Sequence, residues 1–519
     1  MGRGSGVRTT IPAANVDRRL VRALRADLTD ADFTVDRLAQ LLGPMASAAM
    51  SREQVLPAIR SARAAGADPA ALLARAFMLG DTLSPAALEA ALPRTGADGA
   101  LALGVVHRTG ANECRGAVDL RPIDTPDGAF WLTADLGEAT TGRAVTGDHV
   151  LGMGGASRTL AELTLRRPVG RTLDLGTGCG VQALNVAPFS REVVATDISA
   201  RALTFARLNA ALNEVSLDLR SGSMLEPVAG EHFDLVVSNP PFVITPRAAG
   251  VLEYTYRDGG RRGDDVVREL ITGVGEVLAP GGVAQVLANW EVHEGEGPFD
   301  RIGSWLTESG LDGWVIQRES SDPAEYAETW LRDGGITPER DRAVWEQGYA
   351  AWLDDFAARG VDAVGFGYVT VHKPADGGPS AGQIRAPWHR VEEITGTLAP
   401  TIWPTVAATL AAKDQLATLD DAALAGRALT VAVDVTEERH YRPGSSDPEV
   451  IVLRQGGGVG RTVRADTALA AVVGTCDGEL TVAQIAAGVA ALTDVDRDAV
   501  LDSVLPDVRG LVLDGLLVL

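Results

Sequence analysis

At 519 residues the chain is too long for one hydrophobic core, so about two to four domains are expected. Its 69 acidic and 47 basic side chains give a formal net charge of −22, which repels polyanions at long range and argues against a general nucleic-acid coat, though not against a local basic patch. No apolar run of about 18 residues marks a membrane-spanning helix, and Cys114, Cys179 and Cys476 are too few and too scattered for a disulfide framework or a CxxC zinc site, so a reducing cytoplasm is expected.

The opening Met1-Gly-Arg-Gly-Ser-Gly6 has no apolar signal core. Residues 1–103 are expected to form a helical N-terminal domain, because Val21, Leu24, Leu28 and then Phe33, Leu38, Leu41, Leu42 recur at helical spacing. Up to residue 63 this region holds ten arginines against six acidic residues, which makes it the one basic stretch of the chain, read first as a solvated helical surface and alternatively as a substrate-docking domain. Residues 104–149 are expected as a connector of short strands and turns, with Pro126-Asp127-Gly128 as a turn.

Over 150–373, strand-like segments (Arg171–Thr177, Glu192–Ile198, Leu217–Leu219, Phe233–Ser238, Gly282–Asn289) alternate with helical ones, the pattern of a doubly wound, mainly parallel α/β sheet. Trp314–Arg318 and Val364–His372 are placed as a closing antiparallel pair. Between them, near 321–360, Tyr326, Trp330, Trp345, Tyr349, Trp352 and Phe356 fall at helical spacing. That spacing predicts a helical pair packed on the sheet edge, with a lid or base-stacking surface as the alternative. Residues 374–389 are Gly- and Pro-rich and predict a linker. Residues 390–519 are expected as a small α+β domain that resembles a winged helix over 466–519; with few positive charges there, a protein-contact role is preferred to DNA binding.

Two segments about sixty residues apart carry the chemistry. Thr172-Leu-Asp-Leu-Gly-Thr-Gly-Cys-Gly180 and Phe233-Asp-Leu-Val-Val-Ser-Asn-Pro-Pro-Phe242 each lead a buried strand into a polar loop. Glycines in the first loop let the backbone approach a ligand closely. Their spacing differs from the dinucleotide pattern G-x-G-x-x-G. In this order the two segments resemble the class I S-adenosylmethionine-dependent N-methyltransferases of the NPPF/NPPY type, which act on a planar nitrogen. The resemblance implies a Rossmann-like domain with a seven-stranded sheet and S-adenosyl-L-methionine as cofactor. It implies a cofactor site made of Asp174, Gly176, Thr177, Gly178, Gly180, Asp197, Ile198, Ser223, Met224 and Asn239. Within it, Asp174 lies near the ammonium end, Asp197 accepts from the ribose hydroxyls and Ile198 packs on the adenine.

The nitrogen of an amide or aryl amine is a poor nucleophile, because its lone pair is delocalised. Acceptors aimed at its N–H groups favour a geometry in which the lone pair points at the methyl group. Asn239, Pro240, Pro241 and Phe242 form the candidate catalytic set: the Asn239 side-chain oxygen and Pro240 carbonyl as acceptors, Pro241 to stiffen the loop, and Phe242 as an aromatic face for a planar group. No strong base is demanded, and the seven histidines show no HxxH or HExxH spacing, so no metal is expected.

Gly259-Gly260 followed by Gly263 looks like the HemK-type glutamine methyltransferases, whereas Phe242 is more like the small-domain ribosomal RNA methyltransferases. Gly147–Ser157 stands where these families place a segment covering the cofactor. The leading expectation is therefore transfer to an exocyclic base amine in rRNA or tRNA, with RNA as partner and Arg18, Arg19, Arg22 and Arg25 as docking residues. The alternatives are a glutamine of a release-factor-like protein, and a non-catalytic cofactor-binding protein.

Overall fold

The computed structural model describes residues 17–248, 251, 253–375, 386–396, 398 and 401–519. The N-terminal hexapeptide and most of the expected linker lie outside the described residues. The chain divides into two compact units, one comprising Met1–Ala161, Arg167–Lys373 and Pro387–Glu393, the other Glu162–Arg166, Pro374–Ala386 and Ile394–Leu519.

The first unit is organised by a sheet of eight described strands: β1 (Val169–Leu175), β2 (Ser190–Asp197), β3 (Asp218–Ser221), β4 (Phe233–Ser238), β5 (Leu278–His293), β6 (Asp312–Ser321), β7 (Val361–His372) and β8 (His389–Glu393). Their spatial order is β8-β6-β7-β5-β4-β1-β2-β3. Only β7 runs against the others, antiparallel to both β5 and β6. From β1 the chain winds one way through β2 and β3, then returns to β4 and winds the other way. Such a reversal leaves a crevice at the carboxyl ends of the strands flanking it, where α/β sheets bind their ligands.

β1 and β4 flank that crevice. They pair in parallel with Leu175 opposite Ser238, and the Ser238 hydroxyl donates to the Leu175 carbonyl at 2.9 Å. Two motifs distant in sequence are thereby set side by side. The strands are long apolar runs because both faces are covered: Leu173, Val194, Val236, Val237 and Val286 are all buried.

An eighth strand corrects the expected seven, and it moves a boundary. His389–Glu393 was assigned mainly to the C-terminal domain, but it pairs in parallel with β6, with Trp314 Nε1 donating to Glu392 and Gln317 Nε2 to Glu393. An open edge offers unpaired backbone groups that favour such an addition. The boundary at 103/104 is not a break either. The N-terminal helices, the strand segments and helix Ala200–Leu212 share one core through Val21, Leu24, Phe33, Phe77, Leu132, Phe205 and Leu208. Thr82–Leu83, within the expected helical domain, forms a strand paired with Glu113–Gly116 of the connector.

The aromatic segment forms helices Pro323–Asp333 and Arg342–Arg359. Tyr326, Trp352 and Phe356 are buried and cluster with ring centroids 5.9–6.0 Å apart. Their helical spacing is that of a core. In the second unit, two helices, Val482–Thr493 and Arg497–Leu513, stand where a winged helix was expected. The wing does not follow. Leu511 and Val512 are buried, so the helix continues through them, and the short strand Leu517–Val518 pairs antiparallel with Ala428–Val431 instead of folding into a local hairpin.

Candidate functional site

β1 delivers the chain into Gly176-Thr-Gly-Cys-Gly180. Gly176 and Gly178 have φ of 72° and 56°, left-handed conformations in which a side chain is strained. A Cβ at either would meet no protein atom within 4 Å, so both face open space. The turn is held from two sides. Asp197, at the end of β2, accepts from the backbone N–H of Gly178 at 2.8 Å and of Ser199 at 2.7 Å. Asp174 accepts from the Thr177 hydroxyl at 2.6 Å and the Ala183 N–H at 2.8 Å, both on one oxygen. Burial pushes the Asp174 carboxyl up to about 7, with the Asp197 charge adding to the effect, and burial raises Asp197 too.

A cavity of about 360 Å³ opens over this turn. Gly176, Thr177, Gly178, Asp197, Ile198, Ser223, Met224, Asn239, Pro240 and Pro241 line it, so the geometry gathers most of the expected residues. Three do not line it. Asp174 is buried beneath the turn, where the two bonds accepted by one of its oxygens brace the loop. Gly180 faces the protein, where a Cβ would approach Ala206 to 3.3 Å. Phe242 turns inward, with its ring centroid 5.6 Å from Phe366 and 6.3 Å from Trp330, and its backbone bridges to Asp258. The aromatic face assigned to it is used in packing.

The Asn239 side-chain oxygen is buried and has no hydrogen-bond partner among the described residues. An unmet buried acceptor costs on the order of 1–3 kcal/mol, so its placement at a ligand crevice is a functional signal. The lining also includes residues not expected in the site, Gln182, Glu253, Tyr254, Tyr256, Asp258, Arg261 and Glu269, of which Tyr256, Asp258 and Arg261 fall in the stretch that carries Gly259-Gly260 and Gly263. Asp148, His149, Val150, Leu151 and Ser157 also line the cavity, and the Gly147–Ser157 segment was the signal that found them. Five carboxylates line the cavity, and three of them are paired: Glu253 with Arg247 at 2.7 Å, the buried Asp258 with Arg257 at 3.6 Å and Glu269 with Arg261 at 3.4 Å, beside Asp148 and Asp197.

Residues 152–295 match the family described as Methyltransferase small domain, and residues 30–117 match a domain of unknown function (DUF7059). Similar curated proteins include a release factor glutamine methyltransferase of Deinococcus radiodurans, 40% identical over 120 residues, covering 22% of this chain and 43% of that protein. Another is Ribosomal RNA small subunit methyltransferase C of Erwinia tasmaniensis, 29% identical over 176 residues, covering 34% and 47%. The chain thus spans about half the length of the curated relatives it matches. A solved T. Thermophilus 16S rRNA N2 G1207 methyltransferase, in complex with AdoMet and guanosine, aligns at 18% identity over 50% of this chain and 65% of that one, with a TM-score of 0.27. The matched span 152–295 contains β1 to β5 and both loops that meet at the crevice.

Proposed function

We propose, from the premise that residues 152–295 are a methyltransferase small domain of class I, Rossmann-like fold, that the chain is an S-adenosylmethionine-dependent methyltransferase acting on a planar nitrogen. One observation carries the reading: the buried Asn239 oxygen, which has no partner among the described residues, lies in the same cavity as the glycine turn. The residues present fit the cofactor. Gly176 and Gly178 leave the space a side chain would fill, each Asp197 oxygen retains lone-pair capacity beyond the N–H it accepts, and Ile198 and Met224 offer apolar surface.

When bound, S-adenosylmethionine supplies an electrophilic methyl group on a sulfonium. Asn239 accepts one N–H of the target nitrogen and the Pro240 carbonyl accepts another. The lone pair is thereby turned out of conjugation and toward the methyl. Pro241 fixes its own φ and holds the acceptors ready. The nitrogen becomes acidic only once the N–C bond forms, and its proton then leaves to water, so no strong base is required.

The net charge of −22 and the excess of lining carboxylates over the one lining guanidinium, Arg261, favour an uncharged side-chain amide over a phosphodiester strand, which a negative field repels. The glutamine of a release-factor-like protein is therefore the first acceptor. A base amine in RNA is the second reading, favoured by Arg18, Arg19 and Arg22, which are exposed on helix Arg18–Asp30. Arg25 is committed elsewhere: it donates to the Leu212 carbonyl and pairs with Glu214.

Asn239→Ala tests the mechanism. It is expected to lower kcat by about a hundredfold or more while changing the cofactor Kd, measured by calorimetry, less than about threefold. Equal losses in both would remove Asn239 from the transfer step.

A further inference from the structure

Phe242 is the aromatic residue the catalytic motif supplies, yet its ring is packed between Phe366 and Trp330 and does not reach the cavity. A planar acceptor still gains from an aromatic face, because stacking fixes the plane in which its N–H groups lie. We propose that Tyr256 provides that face, as the residue that orients the acceptor's planar group against Asn239. The inference rests on the methyltransferase reading given above.

Tyr256 lines the cavity and is half-buried, with part of its surface open. Its ring is held in place by three neighbours. The hydroxyl donates to Asp333 at 3.1 Å, and Asp333 is itself fixed by Arg257 Nη1 at 2.7 Å. His149 packs against the ring in a T-shaped pair, with centroids 6.0 Å apart and planes at 71°, and Tyr254 packs at 5.7 Å. A ring held by its hydroxyl and by two neighbouring rings, with part of its surface in the cavity lining, loses little entropy on stacking a ligand.

The backbone on either side of Tyr256 is tied to both walls of the cavity. The Thr255 N–H donates to the Gly147 carbonyl at 2.8 Å, next to Asp148 and His149. The Val243 N–H donates to the Arg257 carbonyl at 3.0 Å, next to Phe242. The same short segment thus joins the Gly147 segment to the catalytic loop, and Tyr256 stands between those two attachments.

The test compares Tyr256→Phe, Tyr256→Leu and Phe242→Leu with the wild type in the full chain. The readouts are acceptor KM and kcat, S-adenosylhomocysteine Kd by calorimetry, and the thermal midpoint. The acceptor is whichever of a purified release factor or total RNA the wild type labels. Tyr256→Leu keeps bulk and removes the ring; it is expected to raise acceptor KM about tenfold with the S-adenosylhomocysteine Kd unchanged within about twofold. Tyr256→Phe keeps the ring and is expected to restore KM to within about threefold of wild type. Phe242→Leu is expected to lower the thermal midpoint and leave KM near wild type. Unchanged KM in Tyr256→Leu, or a KM defect that appears in Phe242→Leu instead, overturns the assignment while the methyltransferase reading stands. A wild type that binds the homocysteine product yet labels neither acceptor overturns both.

Discussion

Asp174 and Asn239 sit one strand apart and show two uses of a buried polar group. Asn239 keeps an acceptor unmet, whereas both accepted bonds of Asp174 are internal. The sequence places both at strand ends but cannot tell which one faces a ligand, since that depends on how the turn folds over the strand. Titration distinguishes the brace from the ligand contact. Burial pushes the Asp174 carboxyl up to about 7 from an ordinary value of 3.8, so the folded chain holds this proton more tightly than the unfolded one. The stability that follows is fully present below about pH 4 and is lost as pH rises through 7, with a ceiling on the order of 4 kcal/mol. Asp174→Asn keeps one oxygen for Thr177 and Ala183 and removes the titration. Its thermal midpoint relative to wild type is therefore expected to rise between pH 5 and pH 8. A constant difference across that range would contradict the burial account.

At the scale of elements, the turn over β1 depends on helix Ala200–Leu212. Asn209 on that helix is buried and makes four hydrogen bonds: it accepts from the Thr133 N–H at 2.7 Å and the Thr133 hydroxyl at 2.6 Å, and it donates to the carbonyls of Thr133 and Cys179 at 2.8 Å each. One side chain thereby joins the strand Gly128–Ala134 to the glycine turn. Asn209→Ala strands buried partners on both, so a loss of about 2–4 kcal/mol in denaturant unfolding is expected, with a several-fold weaker cofactor Kd. A loss under about 1 kcal/mol would mean that the turn holds itself. The parallel strands were legible because apolar runs between glycine-rich turns permit few other readings. β8 was not, because His389-Arg-Val-Glu-Glu393 has no strand-like run and is recruited by the free edge of β6. The wing was misread for a related reason: Gly510-Leu-Val-Leu513 suits a strand or a helix equally, and burial of Leu511 and Val512 favours the helix.

Over the whole molecule, the first unit carries the fused N-terminal region, the sheet and the cavity, so changes in the helices bear on the site through a shared core. The second unit holds its own core around Leu424, Leu453, Val473 and Val508. A net charge of −22 and the excess of carboxylates lining the cavity are the features behind the proposed protein acceptor, and the exposed arginines of Arg18–Asp30 are the feature that opposes it. The most direct measurement is transfer of a radiolabelled methyl group from S-adenosylmethionine to total extract of a strain lacking this gene, with wild type and Asn239→Ala in parallel and the products split by RNase and protease. The account predicts label with wild type that is nearly lost with Asn239→Ala, is sensitive to protease and migrates at the size of a release factor. RNase-sensitive label would keep the chemistry and replace the acceptor with RNA. Label that does not depend on Asn239, or no label in any fraction, would contradict methyl transfer at this site.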